Sequence, residues 1–383
     1  MTTSILNEKP SADADTGPLS STRLGLPGCD TEAWVVVDSM VDGMAMGGTR
    51  MTRDVTEVEV AGLARAMTVK LALAGLPIGG AKAGIRPHGQ VTDRDRVLRA
   101  FGSSVAPLLH GGIYLGCDQG TTHADRDLFL AAAGYDVRNR AGAARLQVDW
   151  RELWHDLTDI TGYGVGIATL TALTAAGREG PQRVVVQGFG TVGRAAAAFL
   201  AEHGHSVVAI ADIEGTIEDP AGLPIPALLA ATDAAGTVDR SGLPGSVRCS
   251  DSSAQRWLDV PADITILAAG ASAIDESAVS RVRADFIVEG GNMSCTPGAR
   301  SALHKAGVCV LPDVVVNVGG AAVTGCVLTG VAPSDLPPAQ LRQWLREWIG
   351  DTITRNCDAI TRLTAAADPD PVSTLLALRR SGS

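Results

Sequence analysis

Four lysines serve the whole 383-residue chain against 28 arginines, and two of them, Lys70 and Lys82, stand twelve residues apart. Lys70 closes the run Met67-Thr68-Val69-Lys70, and Lys82 follows a glycine pair in Gly79-Gly80-Ala81-Lys82-Ala83-Gly84. Arginine stays protonated in proteins, whereas a lysine that is buried or set beside another cation can lose its proton and act as a base. Lys70, at the buried end of a helix, suits pairing with a carboxylate. Lys82, after a glycine turn that permits close backbone approach, suits general-base work near neutral pH, its pKa driven down by a second ammonium and by exclusion of water. Two solvated surface lysines would be the plainer reading, but the flanking residues are apolar or glycine. Asp118 ends a short strand beside Gln119-Gly120-Thr121-Thr122, where a carboxylate can shuttle protons; its plainer roles are a turn cap or a partner for an arginine.

A second constellation begins at Val184. The stretch Val184-Val185-Val186-Gln187-Gly188-Phe189-Gly190-Thr191-Val192-Gly193 is a β-branched strand, a glycine-rich turn and the start of an alanine-rich helix. Amides and dipole at such a helix start bind a pyrophosphate. The next strand, Val207–Ala211, ends at Asp212, nineteen residues after Gly193, and no Arg or Lys occurs in Ile213-Glu214-Gly215. An acid there accepts from the ribose diol and repels a 2′-phosphate, which predicts NAD over NADP. A nicotinamide moves a hydride, so the lysines and Asp118 would supply substrate anchoring and proton transfer.

These residues need elements to hold them. Residues 33–38 read as a strand, 57–75 and 95–109 as helices, and 111–118 as a short strand ending in an acid. Residues 150–177 read as one long helix interrupted by Gly162 and Gly164. From 183 on, strands at 183–187, 206–211, 264–268, 285–289 and 308–311 alternate with helices, which indicates a parallel doubly wound sheet. Pro337-Pro338 opens a long amphipathic helix, and Asp368-Pro369-Asp370-Pro371 sets off a last short one.

A chain of 383 residues with 45% hydrophobic content predicts two domains with sizeable cores. A net charge of −10 and the lack of any basic run argue against nucleic acid. The seven scattered cysteines form no Cys-x-x-Cys pair or His/Cys cluster, which predicts reduced thiols in a cytoplasmic protein and no bound metal. Residues 1–21 read as a disordered tail rather than a signal peptide, and no stretch reaches the roughly 20 apolar residues of a membrane span.

Over residues 33–330 the motifs and their order resemble the amino-acid dehydrogenase family of glutamate, leucine, valine and phenylalanine dehydrogenases, closest in type to the phenylalanine and leucine enzymes. Gly47-Gly48-Thr49-Arg50 resembles the family's Gly-Gly-x-Arg, and Leu76-Pro77-Ile78-Gly79-Gly80-Ala81-Lys82 its Leu-Pro-x-Gly-Gly-x-Lys. Asp118-Gln119-Gly120-Thr121 is similar to its Asp-x-Gly-Thr, and Thr161-Gly162-Tyr163-Gly164 to its threonine segment near the nicotinamide. Glu289-Gly290-Gly291-Asn292 and Asn317-Val318-Gly319-Gly320 resemble its Glu-Gly-Ala-Asn and Asn-Ala-Gly-Gly. Gln119 stands where valine is usual, Ala268-Ala269-Gly270 replaces Pro-Cys-Ala, and the region before residue 33 is short, which bears on the oligomer interface.

The resemblance implies an α/β fold of two domains with a cleft between them. The first is an N-terminal α/β domain for substrate and oligomerisation, residues 22–150 plus 340–383; the second is a Rossmann domain, residues 151–339. It implies a homo-oligomer that reversibly deaminates an L-amino acid to its 2-oxo acid and ammonia. Lys82 and Asp118 are then catalytic and Lys70 holds the α-carboxylate, with Gly47, Gly48 and Asn292 beside the substrate. Thr161, Gly188, Phe189, Gly190, Thr191, Val192, Gly193, Asp212, Ile213, Ala269, Gly270, Asn292 and Asn317 hold NAD.

Glutamate-specific members have a lysine immediately before Gly-Gly; here that position is Met46. Without it a buried distal carboxylate loses its partner, a large penalty. An apolar side chain is therefore favoured, lodged against Met46, Gly116, Ala321 and Thr324. The small residues at 116 and 321 favour a bulky or aromatic one, ahead of a branched aliphatic one or an atypical oxo or imino acid in a biosynthetic pathway.

Overall fold

The computed structural model describes residues 17–89, 93–140 and 142–381. It divides into two compact units, Met1–Trp150 with Ala321–Leu341 and Leu376–Ser383, and Arg151–Gly320 with Arg342–Leu375. This partition differs from the expected one at the carboxyl end. Residues 321–341 go with the first unit because Gly142 fits closely against the Val327 carbonyl, leaving only 2.1 Å for a Cβ. Residues 342–375 go with the second because Arg342 pairs with Asp156 at 2.7 Å and Arg346 with Asp159 at 2.6 Å. Most of the tail expected over 1–21 lies outside the described residues; its last two, Ser20 and Ser21, are strand, paired with Val37 and Val36.

The first unit runs β1 (Ser20–Leu24), β2 (Thr31–Val37), β3 (Ala45–Met51), α1 (Glu57–Leu73), β4 (Gly79–Pro87), α2 (Arg94–His110), β5 (Ile113–Cys117) and α3 (His123–Ala132). Its sheet has the order β1-β2-β4-β3-β5, with β3 parallel to both β4 and β5. The parallel β3–β4 pair requires a crossover, and α1 supplies it. Thr56 caps α1 by accepting from the Glu59 amide; Glu57 and Glu59 lie in the first turn and Lys70 in the last, charges that suit the helix dipole.

The glycine pair before Lys82, expected as a turn, instead opens β4. A Cβ on Gly80 would lie 2.2 Å from the Thr68 nitrogen of α1, so the bare backbone is what lets the helix settle on the strand. Close approach is the right principle and the turn was the wrong element.

From residue 150 the elements are α4 (Trp150–Asp156), α5 (Ile160–Ala175), β6 (Arg183–Gln187), α6 (Thr191–Glu202), β7 (Ser206–Asp212), β8 (Gly215–Glu218), α7 (Ile225–Ala230), β9 (Arg248–Asp251), β10 (Ile264–Leu267), β11 (Phe286–Glu289), α8 (Pro297–Lys305), β12 (Cys309–Leu311), α9 (Asp313–Val316), α10 (Gly319–Thr329), α11 (Pro338–Ala365) and α12 (Pro371–Ser381). The second sheet has the order β12-β11-β10-β6-β7-β8-β9. The five strands from β12 to β7 are parallel, and β8 and β9 add an antiparallel edge. Val184, Val185, Val186, Ile264, Ile266, Ile287 and Val288 are all fully buried, as befits strands covered on both faces. After β7, β8 and β9 the chain returns to β10 on the other side of β6, which makes the carboxyl ends of β6 and β10 the switch point of the sheet.

The long helix expected over 150–177 is two helices, broken at 157–159. Gly162 and Gly164 do not interrupt α5. A Cβ on Gly162 would lie 2.5 Å from the Ala195 Cβ, so this glycine brings α5 against α6. The gain in packing offsets the roughly 1 kcal/mol that glycine costs inside a helix.

Candidate functional site

In the first unit Lys82 and Asp118 meet. The Lys82 Nζ lies 3.3 Å from Asp118 Oδ2, and the Arg50 Nε donates to the same oxygen at 3.0 Å. Both basic side chains are almost sealed, Lys82 at 5% and Arg50 at 6% exposure. Arg50 also pairs with Glu59 of α1. Asp118 is fixed by the turn that follows β5. Gly120 has φ +78, and a Cβ there would lie 2.0 Å from the Met51 carbonyl, so only glycine fits. The Thr121 hydroxyl accepts from the Asp118 amide at 2.9 Å and donates to the Thr49 carbonyl at 2.7 Å. Thr122 then caps α3 with Asp125 in a reciprocal capping box.

Burial pushes the Asp118 carboxyl up, but the charges of Lys82 and Arg50 outweigh it and hold the group below the usual carboxylate range. Asp118 is thus both a proton-relay candidate and the partner of an arginine. Arg50 was quoted above only as part of a motif; its role on Asp118 needed the fold.

Lys70 is buried in the last turn of α1. One residue further, Leu71 belongs to an apolar group: a Cβ built on Gly325 of α10 would meet Leu76 at 2.6 Å, Leu71 at 3.4 Å and the Met46 sulfur at 3.6 Å. Met46 and Thr324 are both buried and Ala321 is half-buried. Met46 pairs in register with Gly80 of β4 and Tyr114 of β5. Gly48 sits beside Asp118, where a Cβ would lie 3.0 Å from the Asp118 Cβ, and Gly47 lies against the Ala81 carbonyl. The space beside Gly116 is bounded by the Tyr114 ring, 3.6 Å from where a Cβ would stand.

In the second unit a cavity of about 500 Å³ opens at the carboxyl ends of β6, β7 and β10. Gln187, Gly188, Phe189, Gly190, Asp212, Ile213, Ala268 and Ala269 line it. The three fingerprint glycines divide the labour. Gly188 has φ +92 and a Cβ there would lie 2.5 Å from the Ala269 nitrogen; one on Gly193 would lie 1.9 Å from the Gly188 carbonyl; around Gly190 there is open space. A tight turn, close helix–strand packing and room for a pyrophosphate are what a dinucleotide requires. Thr191, Val192 and Gly193 form the first turn of α6. Ile213 is 82% exposed, an apolar side chain at the cavity wall.

Outside this cavity Thr161, Asn292 and Asn317 are linked through α10 and the loop after β11. The Thr161 hydroxyl accepts from the Gly320 amide at 3.1 Å, and the Asn317 Nδ2 donates to the Gly290 carbonyl at 3.1 Å and to Asn292 Oδ1 at 3.2 Å. The buried Asn317 Oδ1 and Gln187 Oε1 have no hydrogen-bond partner, so each retains an acceptor for a ligand. Gly270 follows β10 with open space around it.

Asp212 departs from expectation. Its carboxylate ends β7 as foreseen, but Arg240 clasps it, Nη2 to Oδ1 at 2.5 Å and Nη1 to Oδ2 at 3.0 Å. Burial raises the Asp212 carboxyl; Arg240 and the amides of Val238 and Glu214 outweigh it and hold the group below the ordinary range. Arg240 is 28 residues away along the chain, so inspection of the three residues after Asp212 missed it.

Comparison with known proteins shows the family. The profile described as Glu/Leu/Phe/Val dehydrogenase, dimerisation domain, matches residues 29–129, and that described as Glutamate/Leucine/Phenylalanine/Valine dehydrogenase matches residues 154–334. An NADP(+)-dependent glutamate dehydrogenase of Pyrobaculum calidifontis is 33% identical over 330 residues, 83% of this chain and 74% of that protein. The chain belongs to the glutamate/leucine/phenylalanine/valine dehydrogenase family. It is thus an amino-acid dehydrogenase, an oxidoreductase that uses a nicotinamide dinucleotide.

The family's first profile spans Met46, Lys70, Lys82, Gly116 and Asp118, and its second spans Thr161, the glycine fingerprint, Asp212, Asn292, Asn317, Ala321 and Thr324. A glutamate dehydrogenase of Thermotoga maritima is 31% identical over 300 residues, 76% of this chain and 70% of that protein. Among solved structures, the hetero-hexameric glutamate dehydrogenase of Thermus thermophilus in its Leu-bound form matches with TM-score 0.76 and 26% identity, over 95% of this chain and 88% of that one. The two-domain α/β fold is therefore the fold of the family.

Proposed function

We propose that this chain catalyses the reversible oxidative deamination of an apolar, bulky or aromatic L-amino acid to its 2-oxo acid and ammonia, with NAD as the favoured dinucleotide. The observation that carries the reaction is the sealed Lys82–Asp118 pair, with Arg50 on the same carboxylate oxygen. The nicotinamide, when bound, supplies the hydride acceptor for deamination and the donor for amination. Lys70 holds the substrate α-carboxylate by a charge-assisted contact. Lys82 takes a proton from the water that attacks the imino carbon. Asp118 carries protons to and from the nitrogen as ammonia leaves, and at 3.3 Å it also lies in place to take the proton that Lys82 must give up before it acts as a base.

The apolar group of Met46, Leu71 and Leu76 around Gly325 supports the substrate class. It offers no cation at position 46 to a distal carboxylate. The relatives named above are glutamate dehydrogenases, so glutamate is the comparison that matters. A second reading, branched-chain aliphatic substrates, draws support from the Tyr114 ring, which occupies part of the space that Gly116 leaves.

NAD is favoured because Asp212 and Glu214 set two carboxylates against the single guanidinium of Arg240. The dimerisation-domain match and the hetero-hexameric assembly named for the Thermus thermophilus relative support an oligomer, which we read as one of identical subunits. Seven free thiols support a cytoplasmic location. Among the described residues no helix is long and apolar enough to cross a membrane, and no His/Cys/Asp/Glu group could hold a metal ion.

The test is a panel of L-amino acids followed by NADH absorbance, with Lys82→Ala as control. Phenylalanine or leucine should turn over efficiently and glutamate poorly, and Lys82→Ala should lose at least about 10²-fold, the usual scale for a general base. Efficient glutamate turnover by the wild type would remove the apolar reading; near-normal turnover by Lys82→Ala would remove the lysine base.

A further inference from the structure

Asp212 has no acceptor capacity left for a ribose. Its Oδ1 accepts from the Glu214 amide at 2.9 Å, the Gly215 amide at 3.2 Å and Arg240 Nη2 at 2.5 Å. Its Oδ2 accepts from the Val238 amide at 2.9 Å and Arg240 Nη1 at 3.0 Å. A carboxylate offers about four lone-pair sites, and five donors fill them. The side chain is 2% exposed and its charge is balanced at contact distance. The acid that would ordinarily bond a ribose diol and repel a 2′-phosphate is here a buried internal partner.

Arg240 has an outward face as well. Its Nη1, which also donates to the Val238 carbonyl at 2.8 Å, meets Glu214 Oε2 at 2.9 Å, and that glutamate side chain is 57% exposed. One anion on this guanidinium is thus sealed and permanent, and the other is a solvent-exposed carboxylate on a flexible stem. An ion pair with one partner open to solvent contributes little. A phosphate monoester brings about −1.5 to −2 charge and three acceptor oxygens, so it can compete with a carboxylate for a guanidinium.

Arg240 is also delivered by a rigid device. The chain from Thr232 to Val238 closes as a bridge, and its tip glycine, Gly236, lies against the Phe189 carbonyl, where a Cβ would come within 2.7 Å. Arg194 of α6 donates to the Asp233 carbonyl at 3.2 Å. The hairpin is thereby held on the glycine-rich turn, and Gly236 lines the same cavity as Asp212 and Ile213.

We propose that Arg240 is the residue that admits a ribose 2′-phosphate to this site, exchanging its outer partner Glu214 for the phosphate while it keeps Asp212. Glu214 competes for the guanidinium and keeps NAD favoured; Arg240 lets NADP bind as a second dinucleotide. The inference rests on the dinucleotide reading of the cavity and adds two specificity residues, Arg240 and Glu214, that the glycine fingerprint does not reveal.

The test uses the full-length protein and titrates 2′,5′-ADP and 5′-AMP by calorimetry, two half-molecules that differ only in the 2′-phosphate and need no turnover. Glu214→Gln should raise the 2′,5′-ADP to 5′-AMP affinity ratio about tenfold, and Arg240→Gln should lower it about tenfold or more, the scale of one charge-assisted contact. Arg240→Lys, which keeps the charge, should recover part of the ratio; a merely structural role for Arg240 would weaken both nucleotides in parallel in both variants. Nucleotide binding with a ratio unmoved by Glu214→Gln and Arg240→Gln would overturn this inference alone. Failure of the wild type to bind 5′-AMP, NADH and NADPH would overturn the dinucleotide reading and this inference with it.

Discussion

Asp118 is the group on which the residue-scale argument turns. It is a carboxylate with two cations on it, both nearly sealed from water. Burial raises its pKa, and Lys82 and Arg50 together depress it further than burial lifts it. The sign of the pH effect follows. A carboxyl whose folded pKa is depressed stabilises the fold fully above its unfolded value, about 3.9, and that stability is lost as pH falls through the lower folded value. We therefore expect the stability gap between wild type and Asp118→Asn to be constant from neutral pH down to about 4 and to close below it. Denaturant titrations across that range measure it; a gap that closes well above pH 5 would mean that Asp118 is not held as an ion. The same pair shows how much was legible at this scale. Lys70 and Lys82 could be picked out because the chain otherwise uses arginine and because each sits beside glycine or apolar residues, and Asp118 because it ends a short strand beside Gln119-Gly120-Thr121-Thr122. Arg240 could not, since a side chain 28 residues away is brought to Asp212 only by the hairpin that carries it.

At the scale of elements, strands that are apolar throughout, such as Val184–Val186 and Val207–Ile210, announce themselves. Strands β3 and β4 do not, because Gly47, Gly48, Gly79, Gly80 and Gly84 remove the side chains from which a strand is recognised. Those glycines instead record where another backbone, Asp118 or, at Gly84, the Val60 side chain comes close, information that exists only once the fold is formed. The glycines of α5 mislead in the same way: they read as breaks, yet Gly162 is a contact point with α6 and Gly164 one with Ile353 of α11. Gly116 is the exception that lends itself to a test. A Cβ there would meet the Gly47 carbonyl and the Tyr114 ring at 3.6 Å, an ordinary contact, so Gly116→Ala should fold. The added methyl narrows the space beside Tyr114 and should penalise an aromatic substrate by roughly 1–3 kcal/mol relative to a smaller aliphatic one. The kcat/KM ratio for phenylalanine over leucine should fall accordingly; an unchanged ratio would show that Gly116 does not face the substrate side chain.

Over the whole molecule the chemistry is divided between two units, each with its own sheet and core. The groups proposed for proton transfer belong to the first, and the residues that line the nucleotide cavity belong to the second. Binding energy and catalysis should therefore separate by mutation. A ligand that binds only the native state adds about 2.7 kcal/mol at one hundred times its Kd. For a unit of this size each kcal/mol moves the melting temperature by roughly 2–4 °C, so NADH should raise it by roughly 5–10 °C. Lys82→Ala, which alters only the first unit, should keep that shift while turnover is lost. Gly193→Ala places a Cβ 1.9 Å from the Gly188 carbonyl and must displace the turn against which a pyrophosphate would lie, so its shift should shrink or vanish. Thermal melts of the three proteins with and without NADH decide the matter. A shift abolished by Lys82→Ala would mean that the dinucleotide depends on the first unit's lysine, and a full shift in Gly193→Ala would mean that the glycine turn is not where it binds.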